Sequence, residues 1–390
     1  MRVAVVAGPD PGHAFPALAL CLRFAAAGDD PVLLTGAAWL PTAERAGVAA
    51  VELAGLDPTA ADDDADAGDK IHRRAARMAV LNAPRLAELG VDLVVSDVIT
   101  TCGGMAAELL GLPWVELSPH PLYLPSRYLP PIGSGLAPGR GLHGRLRDAA
   151  LRALSARSWR AGLRQRAAAR TGIGLPPDEP GPLRRLVATL PALELPRPDW
   201  PAEAVLVGPL HFEPTDAVLE VPDGDGPLVV VAPSTATTGT AGLAETALRA
   251  LRPGAALPAG TRVAVSRLSG PRLAVPDWAV VGLGRQDLLL AAADLVVCGG
   301  GHGMLTKTLL AGVPMVVVPG GGDQWELANR VVRQGSARLV RPLTEAALAA
   351  AAAAVLADPA HRAAAARAIA GAAGVADPVR VCHEALAARA

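Results

Sequence analysis

The sequence of 390 residues is poor in cysteine and in aromatic residues and has almost no net charge. Its four cysteines are far apart and include no C-x-x-C pair, which argues against a disulfide framework or a zinc site and favours a reduced, cytoplasmic protein. Six Trp, three Phe and two Tyr leave few candidates for an aromatic stacking platform. A formal net charge of −1 excludes the global basic field that nucleic-acid binders carry.

Long hydrophobic runs are also missing. The longest candidate, residues 346–357, is mostly alanine and is better explained as a helix than as a membrane span. The apolar run at the N-terminus meets Asp10 and His13 at once, which is unlike a signal peptide. We therefore expect no integral membrane segment and no nucleic-acid partner, and the sequence leaves the oligomeric state open.

Three common catalytic motifs are absent. The chain has no G-x-x-x-x-G-K-[ST] phosphate loop, no G-x-G-x-x-G after its first strand and no G-x-S-x-G nucleophile elbow. These absences argue against a P-loop enzyme, a simple dinucleotide-binding fold and an α/β-hydrolase. We expect a metal-independent site, with no metal ligands among the candidate residues.

Two halves of the chain repeat one pattern, in which continuous apolar runs alternate with helix-forming segments. Strands are predicted at residues 3–7, 31–35, 92–96 and 114–117, and again at 228–232, 262–266, 279–281, 295–297 and 315–318. Such runs indicate parallel sheets covered on both faces. The fold class is thus α/β, and the repetition predicts two Rossmann-like domains; that they face each other across a cleft is implied only by the family resemblance described below.

The domain boundaries follow from a proline-rich, strand-poor stretch at residues 195–225. We assign residues 1–200 to an N-terminal domain, 201–226 to a linker, and 227–390 to a C-terminal domain. The last helix, from Pro378, is free to pack on either domain. An irregular segment rich in proline and glycine, residues 119–144, precedes an arginine-bearing helix at 142–171, whose arginines we interpret as a solvated face.

The most informative stretch is residues 293–329, where two glycine-rich turns flank a strand–helix–strand unit. The first turn is Gly299-Gly300-Gly301-His302-Gly303, and the second ends in Asp323-Gln324. Glycines between a strand and a helix let backbone N–H groups point at an anion beside the positive end of the helix dipole. The two turns together suggest a sugar nucleotide, with its diphosphate on the first and its hydroxyls on Asp323 and Gln324. The alternative for that pair is an ordinary helix N-cap.

Three further candidates follow predicted strands. His13 lies after the first strand, at the edge where parallel sheets bind ligands, and its near-neutral pKa suits a general base. Asp97 ends another strand and either orients His13 or caps the next helix. Ser234 follows the first strand of the second half and either contacts phosphate or serves the turn.

Several blocks of the sequence match one family. They are PGHAFPALALCLRFAAAGDDPVLLTG, DLVVSDVITTCGGMAAELLGLPWVELSP, VGPL, and above all GGHG followed by LLAGVPMVVVPGGGDQ. With these blocks the chain resembles, over nearly its whole length, the GT-B glycosyltransferases of family 1, in particular the bacterial enzymes that glycosylate macrolides and other antibiotics.

The resemblance implies an inverting glycosyltransferase (hexosyltransferase type) that moves a sugar from a nucleoside diphosphate, UDP or TDP, to a small-molecule acceptor such as a natural product. The residue matching the family's base is His13, and Asp97 orients it. The glycine turn binds the diphosphate and Asp323-Gln324 the sugar. No other cofactor is implied. The acceptor is expected to contact variable segments at 60–77 and 119–144, which include His120 and Tyr123.

This sequence departs from the family pattern at the diphosphate motif. The family's first histidine falls on Gly299, its closing hydroxyl residue on Met304, and its base-stacking aromatic on Leu283, near the remaining donor contact Gln286. His302, Arg285 and Lys307 are candidates to compensate, and Gly299→His is expected to tighten diphosphate binding if the family geometry survives. Two alternatives stay open: a non-catalytic relative that binds a small molecule or a partner protein, and a sugar-nucleotide epimerase.

Overall fold

The computed structural model describes residues 1–57, 59, 67–270 and 272–389, which form two parallel β-sheets with helices on both faces. The strands of the first sheet are β1 (Arg2–Val6), β2 (Asp30–Thr35), β3 (Ala49–Glu52), β4 (Leu93–Asp97), β5 (Trp114–Ser118), β6 (Arg185–Val187) and β7 (Ala204–Leu206). The helices of this part are α1 (Pro11–Ala26), α2 (Leu40–Arg45), α3 (Ala67–Leu89), α4 (Cys102–Leu109) and α5 (Gly141–Thr171).

The second sheet contains β8 (Leu228–Ala232), β9 (Arg262–Ser266), β10 (Ala279–Gly282), β11 (Leu295–Cys298), β12 (Met315–Val317) and β13 (Ala337–Leu339). The remaining helices are α6 (Leu243–Ala250), α7 (Gln286–Ala292), α8 (His302–Leu310), α9 (Gln324–Gln334), α10 (Glu345–Ala357), α11 (Pro359–Ile369) and α12 (Pro378–Ala387).

Both sheets have a doubly wound order. The first runs β3-β2-β1-β4-β5-β6-β7 and the second β10-β9-β8-β11-β12-β13, and every neighbouring pair is parallel. The strand order reverses between β1 and β4 and between β8 and β11, which opens a ligand crevice at the carboxyl ends of each pair. The predicted α/β fold class with two Rossmann-like domains is confirmed.

The central strands owe their position to composition. β4, β8 and β11 are buried at every residue and consist mostly of valine and leucine, with β-branched side chains that pack well between two layers of helices. These strands were predicted to within one or two residues. The strands missed by the sequence analysis, β3, β6, β7 and β13, are three or four residues long and lie at or near sheet edges.

The structure adds two details to the predicted organisation. β7 lies inside the segment assigned to the linker and pairs with β6, so the first sheet extends to Leu206. The last helix, α12, packs against α1, and its Val379, Val381 and Cys382 belong to the core of the first sheet. The chain therefore crosses back to its N-terminal part, while the exact domain boundaries stay a prediction.

Segments predicted to bind the acceptor divide between regular and irregular structure. Of residues 60–77, positions 60–66 lie outside the described residues, and the rest form the start of α3 rather than a loop. Residues 119–140 are irregular, as expected, and lead into α5. Across the part of the chain that the structure describes, no helix is long and apolar enough to cross a bilayer.

Candidate active site in the cleft between the two sheets

His13 and Asp97 meet at the carboxyl edge of the first sheet. His13 is the third residue of α1, directly after the turn that follows β1, and Asp97 is the last residue of β4. The Nδ1 atom of His13 lies 2.7 Å from Oδ2 of Asp97, whose side chain is fully buried. An ionised carboxylate only accepts hydrogen bonds, so Nδ1 carries the proton and Nε2 is left with its lone pair.

Of the two roles weighed for Asp97, the structure shows a bond to His13 but no helix cap, since the N-cap residue of α4 is Thr101. The Oδ1 atom of Asp97 accepts hydrogen bonds from the backbone N–H groups of Ile99 (3.0 Å) and Thr100 (3.2 Å) and from the Thr100 hydroxyl (3.2 Å). This oxygen therefore holds the turn before α4, while Oδ2 holds the imidazole. Because the turn fixes the carboxylate, His13 is held in one orientation.

Burial and charge act on His13 in opposite directions. Burial lowers the pKa of His13, but the adjacent Asp97 carboxylate and its hydrogen bond raise it more, with Asp10 and Asp323 contributing, so the net pKa lies above its usual value. The imidazole is thus a stronger base than a free histidine, as a general base that works near neutral pH requires.

The predicted anion cradle forms the turn between β11 and α8. Gly301 is the residue before the helix, no side chain caps the first helical N–H groups, and no described atom lies within 4 Å of a Cβ placed there. Gly300 has φ +83°, a conformation that favours glycine. The open N-terminus of α8 is therefore free to receive an anion beside Gly303, which is exposed.

At Gly299 it is the neighbouring atoms, and not the backbone conformation, that favour glycine. A Cβ atom on Gly299 would lie 2.9 Å from Cβ and 3.0 Å from the backbone nitrogen of Ser234, at the end of β8. No side chain fits here without movement of that backbone. This geometry argues against the expectation that Gly299→His restores the family's phosphate contact, because the backbone of Ser234 would have to move to admit the side chain.

The second glycine turn brings Asp323 and Gln324 to the same edge. Asp323 precedes α9 but makes no side-chain capping hydrogen bond, so the N-cap alternative does not describe it. Gln324 is buried, and its amide accepts from the Gly320 N–H (2.9 Å) and donates to the Ser234 hydroxyl (2.9 Å). Ser234 also accepts from the Ala236 N–H (3.2 Å), so it serves its turn as well as Gln324.

The two predicted acceptor contacts lie between His13 and Asp323. The ring of His120 stands edge-on to His13 with centroids 6.3 Å apart and stacks on Tyr123 at 4.4 Å. Nδ1 of His120 is 2.8 Å from the carbonyl of Pro121, to which it donates, so Nε2 is the acceptor. Burial lowers the pKa of His120, and the ring is neutral near pH 7.

These groups surround one cavity of about 430 Å³. Residues from both sheets line it, including His13 and His120 from the first part of the chain and Asp323 and Gln324 from the second. The turn residues Gly299, Gly301, His302 and Gly303 line it too, together with Ser234 and Gln286. A base, an open helix N-terminus and a carboxylate therefore face the same space.

Comparison with known proteins agrees with this architecture. Residues 256–387 match the family described as Erythromycin biosynthesis protein CIII-like, C-terminal domain. The chain is 29% identical to 4′-demethylrebeccamycin synthase of Lentzea aerocolonigenes over 371 residues, which cover 86% of each protein. The chain therefore resembles the GT-B glycosyltransferases of family 1 and shares their fold.

Two solved structures share the fold of this chain along almost its full length. The glycotransferase of kitacinnamycin superposes with a TM-score of 0.74 at 23% identity and covers 96% of this chain and 95% of its own. SsfS6 of Streptomyces sp. SF2575, solved with thymidine diphosphate, gives a TM-score of 0.67 at 21% identity and covers 98% and 99%.

The three residues considered as compensation for the missing phosphate ligands differ in what they can do. His302 bonds through Nε2 to the Thr189 hydroxyl (2.8 Å), and burial holds its pKa well below the usual value, so it brings no positive charge. Arg285 is half-exposed and paired with Asp287. Lys307 lines the cavity, where it is paired with Glu213 at 2.6 Å and bonded to the Gln286 side chain at 3.0 Å.

Some residues that line the cavity were missed by the sequence analysis. Thr235, Thr237 and Thr238 follow β8 in a hydroxyl-rich loop that lines the cavity. His211 comes from the segment between the sheets and bonds to Thr306 (2.8 Å); burial, with help from Lys307 and Arg23, lowers the pKa of His211 to about 3. The hydroxyl-rich run S-T-A-T-T after the strand is the signal in the sequence that could have identified these threonines as candidate phosphate contacts.

Among the residues that the structure describes, no three or more His, Cys, Asp or Glu side chains form a group that could hold a metal ion.

Proposed function

We propose that this protein is an inverting, metal-independent glycosyltransferase that moves a sugar from a nucleoside diphosphate to a small-molecule acceptor. One observation carries the proposal: His13, bonded to the buried Asp97, lines the same cavity as the open N-terminus of α8 and the Asp323 carboxylate. A protein with no catalytic role has little reason to bring a buried base pair and an anion cradle to one space.

In the proposed reaction, Nε2 of His13 takes the proton of the acceptor hydroxyl as the oxygen attacks the anomeric carbon. The bond from that carbon to the diphosphate breaks, and its electron pair leaves with the phosphate oxygen. The main-chain N–H groups at the start of α8 stabilise the negative charge of the leaving group. Asp97 stabilises the imidazolium that forms, since its carboxylate is already bonded to Nδ1.

The donor is proposed to be a UDP- or TDP-sugar that lies across the C-terminal edge of the second sheet. Its diphosphate contacts Gly299 to Gly303 and Ser234, and its sugar contacts Asp323 and Gln324. The thymidine diphosphate complex of SsfS6, which has the same fold, supports a nucleoside diphosphate here. Gln286, beside Lys307 and the half-exposed Leu283, is assigned to the nucleoside end.

The acceptor is proposed to be a natural product or a similar small molecule that enters beside His120 and the 119–140 segment. The name of the relative from Lentzea aerocolonigenes and that of the kitacinnamycin structure support this class. The acceptor-binding role of residues 1–200 and the donor-binding role of residues 227–390 belong to the same proposal.

Thermal denaturation with a panel of nucleoside diphosphates tests donor binding. A ligand that binds only the folded protein stabilises it by about 2.7 kcal/mol at a concentration 100 times its Kd, so the unfolding midpoint is expected to rise with UDP or TDP. The nucleosides without phosphate serve as the control and are expected to shift the midpoint far less. No shift with any diphosphate would contradict the proposal.

The pH dependence of transfer tests the base. Because the pKa of His13 is raised, kcat is expected to increase as pH rises through a value above 6.5, where His13 loses its proton. Asp97→Asn is expected to move this limb to lower pH, since burial then acts without the opposing carboxylate, and to lower kcat at every pH. If kcat of the Asp97 variant rises over the same pH range as wild type, the group that titrates there is not His13.

A non-catalytic binding protein is the second candidate, and specific observations favour it. The family's histidine and hydroxyl residue are replaced by Gly299 and Met304, Ser234 fills the space beside Gly299, and His302 is neutral. Under this alternative, nucleotide would raise the unfolding midpoint while no acceptor is glycosylated.

A further inference from the structure

A loop of the first part of the chain is bonded to the helix that follows the donor-side turn. The carbonyl of Ser134 accepts from the Trp325 indole (3.2 Å), the N–H of Gly135 donates to Glu326 (2.8 Å), and the carbonyl of Gly135 accepts from Arg333 (2.6 Å). These contacts tie the 119–135 segment to α9, whose N-terminus holds Asp323.

The contact nearest the cavity joins Tyr123 to Asp323. The Tyr123 hydroxyl donates to Oδ2 of Asp323 at 3.3 Å, across 200 residues of sequence. The ring of Tyr123 is held by stacking on His120 at 4.4 Å and by the Arg330 guanidinium 5.8 Å from its centroid. The hydroxyl is therefore presented by a ring that two neighbours keep in place.

Asp323 itself has little else to orient it. Its side chain makes no capping bond to α9, and within the described residues it has no ion-pair partner. A carboxylate that is free to rotate loses conformational freedom when a ligand fixes it, and that loss weakens binding. A hydrogen bond that fixes one oxygen beforehand removes part of this cost and leaves the other oxygen to the ligand.

We propose that Tyr123 is a positioning residue for the donor sugar: it fixes Oδ2 of Asp323 so that the carboxylate receives sugar hydroxyls in a single orientation. This rests on the proposed function and replaces the expectation, drawn from the sequence, that Tyr123 contacts the acceptor. The first part of the chain thus completes the donor site, and donor recognition depends on a loop outside the second sheet.

The test is Tyr123→Phe in the full-length protein, which keeps the ring and its stacking and removes only the hydroxyl. Calorimetric affinities are measured for a nucleotide sugar and for the nucleoside diphosphate without its sugar, using the UDP or TDP pair that wild type binds. The variant is expected to bind the nucleotide sugar about ten-fold more weakly and the bare diphosphate as wild type does, because a hydrogen bond to a charged group is lost on the sugar side only.

Two further variants sharpen the result. Tyr128→Phe is the matched control, because Tyr128 is the other tyrosine of the chain and is exposed, stacked only under Arg127; it is expected to bind both ligands as wild type. Asp323→Asn is expected to weaken nucleotide-sugar binding, and adding Tyr123→Phe to it is expected to have little further effect, since Tyr123 acts through that carboxylate.

Each outcome of these binding measurements supports or overturns the role proposed for Tyr123. Equal weakening for both ligands, or none, overturns the assignment of Tyr123 while the proposed function stands. A rise in the acceptor KM with unchanged donor affinity also overturns it and returns Tyr123 to the acceptor. If wild type binds neither the nucleotide sugar nor the diphosphate, the proposed function fails, and the role of Tyr123 fails with it.

Discussion

Replacing His13 with alanine is expected to lower kcat by about 10²–10⁴-fold while the affinity for nucleoside diphosphate stays that of wild type. The reason lies in the separation of roles across the cavity. The imidazole is bonded to Asp97 of the first sheet, whereas the diphosphate is proposed to bind at the start of α8 in the second part of the chain. Initial rates with saturating donor, together with diphosphate titrations, measure the two quantities separately.

His143→Ala is the matched control, because His143 is an exposed histidine on α5 and does not line the cavity. It is expected to keep wild-type kcat. Equal turnover in the His13 variant would refute the base assignment. A parallel loss of diphosphate affinity would instead show that His13 acts on the donor or on the closure of the cleft.

The central strands could be predicted from the sequence because each is a continuous apolar run that a few neighbouring residues reveal. Val229, Val230 and Val231 form a continuous buried run in β8, and the neighbours of that strand have the same character. The edge strand β13 has only three residues and includes Arg338, which is exposed, so no apolar run marks it. The position of α12 depends on packing against α1, which no short pattern encodes.

The candidate site, like the fold, was predicted only in part from the sequence. His13 and Asp97 were recognisable because each directly follows or ends a predicted strand, and parallel strands end at one edge. Contacts that cross the cleft were not, since Tyr123 and Asp323 are 200 residues apart and Glu213 and Lys307 are 94 apart. The sequence also could not predict that His302 is neutral, because its pKa is lowered by burial in the folded protein, where it bonds to Thr189.

Gly299 shows most sharply how spatial packing limits an inference from a motif. Since the family places histidine at this position, the sequence alone predicts that Gly299→His tightens diphosphate binding. In the folded protein the first atom of any side chain would meet Ser234, including its backbone nitrogen at 3.0 Å. Overpacking of this kind destabilises by about 1–3 kcal/mol, and displacing Ser234 removes the hydroxyl that Gln324 bonds.

We therefore expect Gly299→His to lower the free energy of unfolding by about 1–3 kcal/mol and to weaken diphosphate binding rather than tighten it. Gly299→Ala is expected to have the same sign, since the clash is with Cβ. Gly301→Ala, two residues along the same turn, is the control for stability, because no described atom lies within 4 Å of its added Cβ. Denaturant unfolding and diphosphate titration of the three variants measure both effects. A Gly299→His protein as stable as wild type and with tighter binding would mean that the 234–238 loop moves aside, and that the phosphate site of this chain differs from its relatives in sequence but not in geometry.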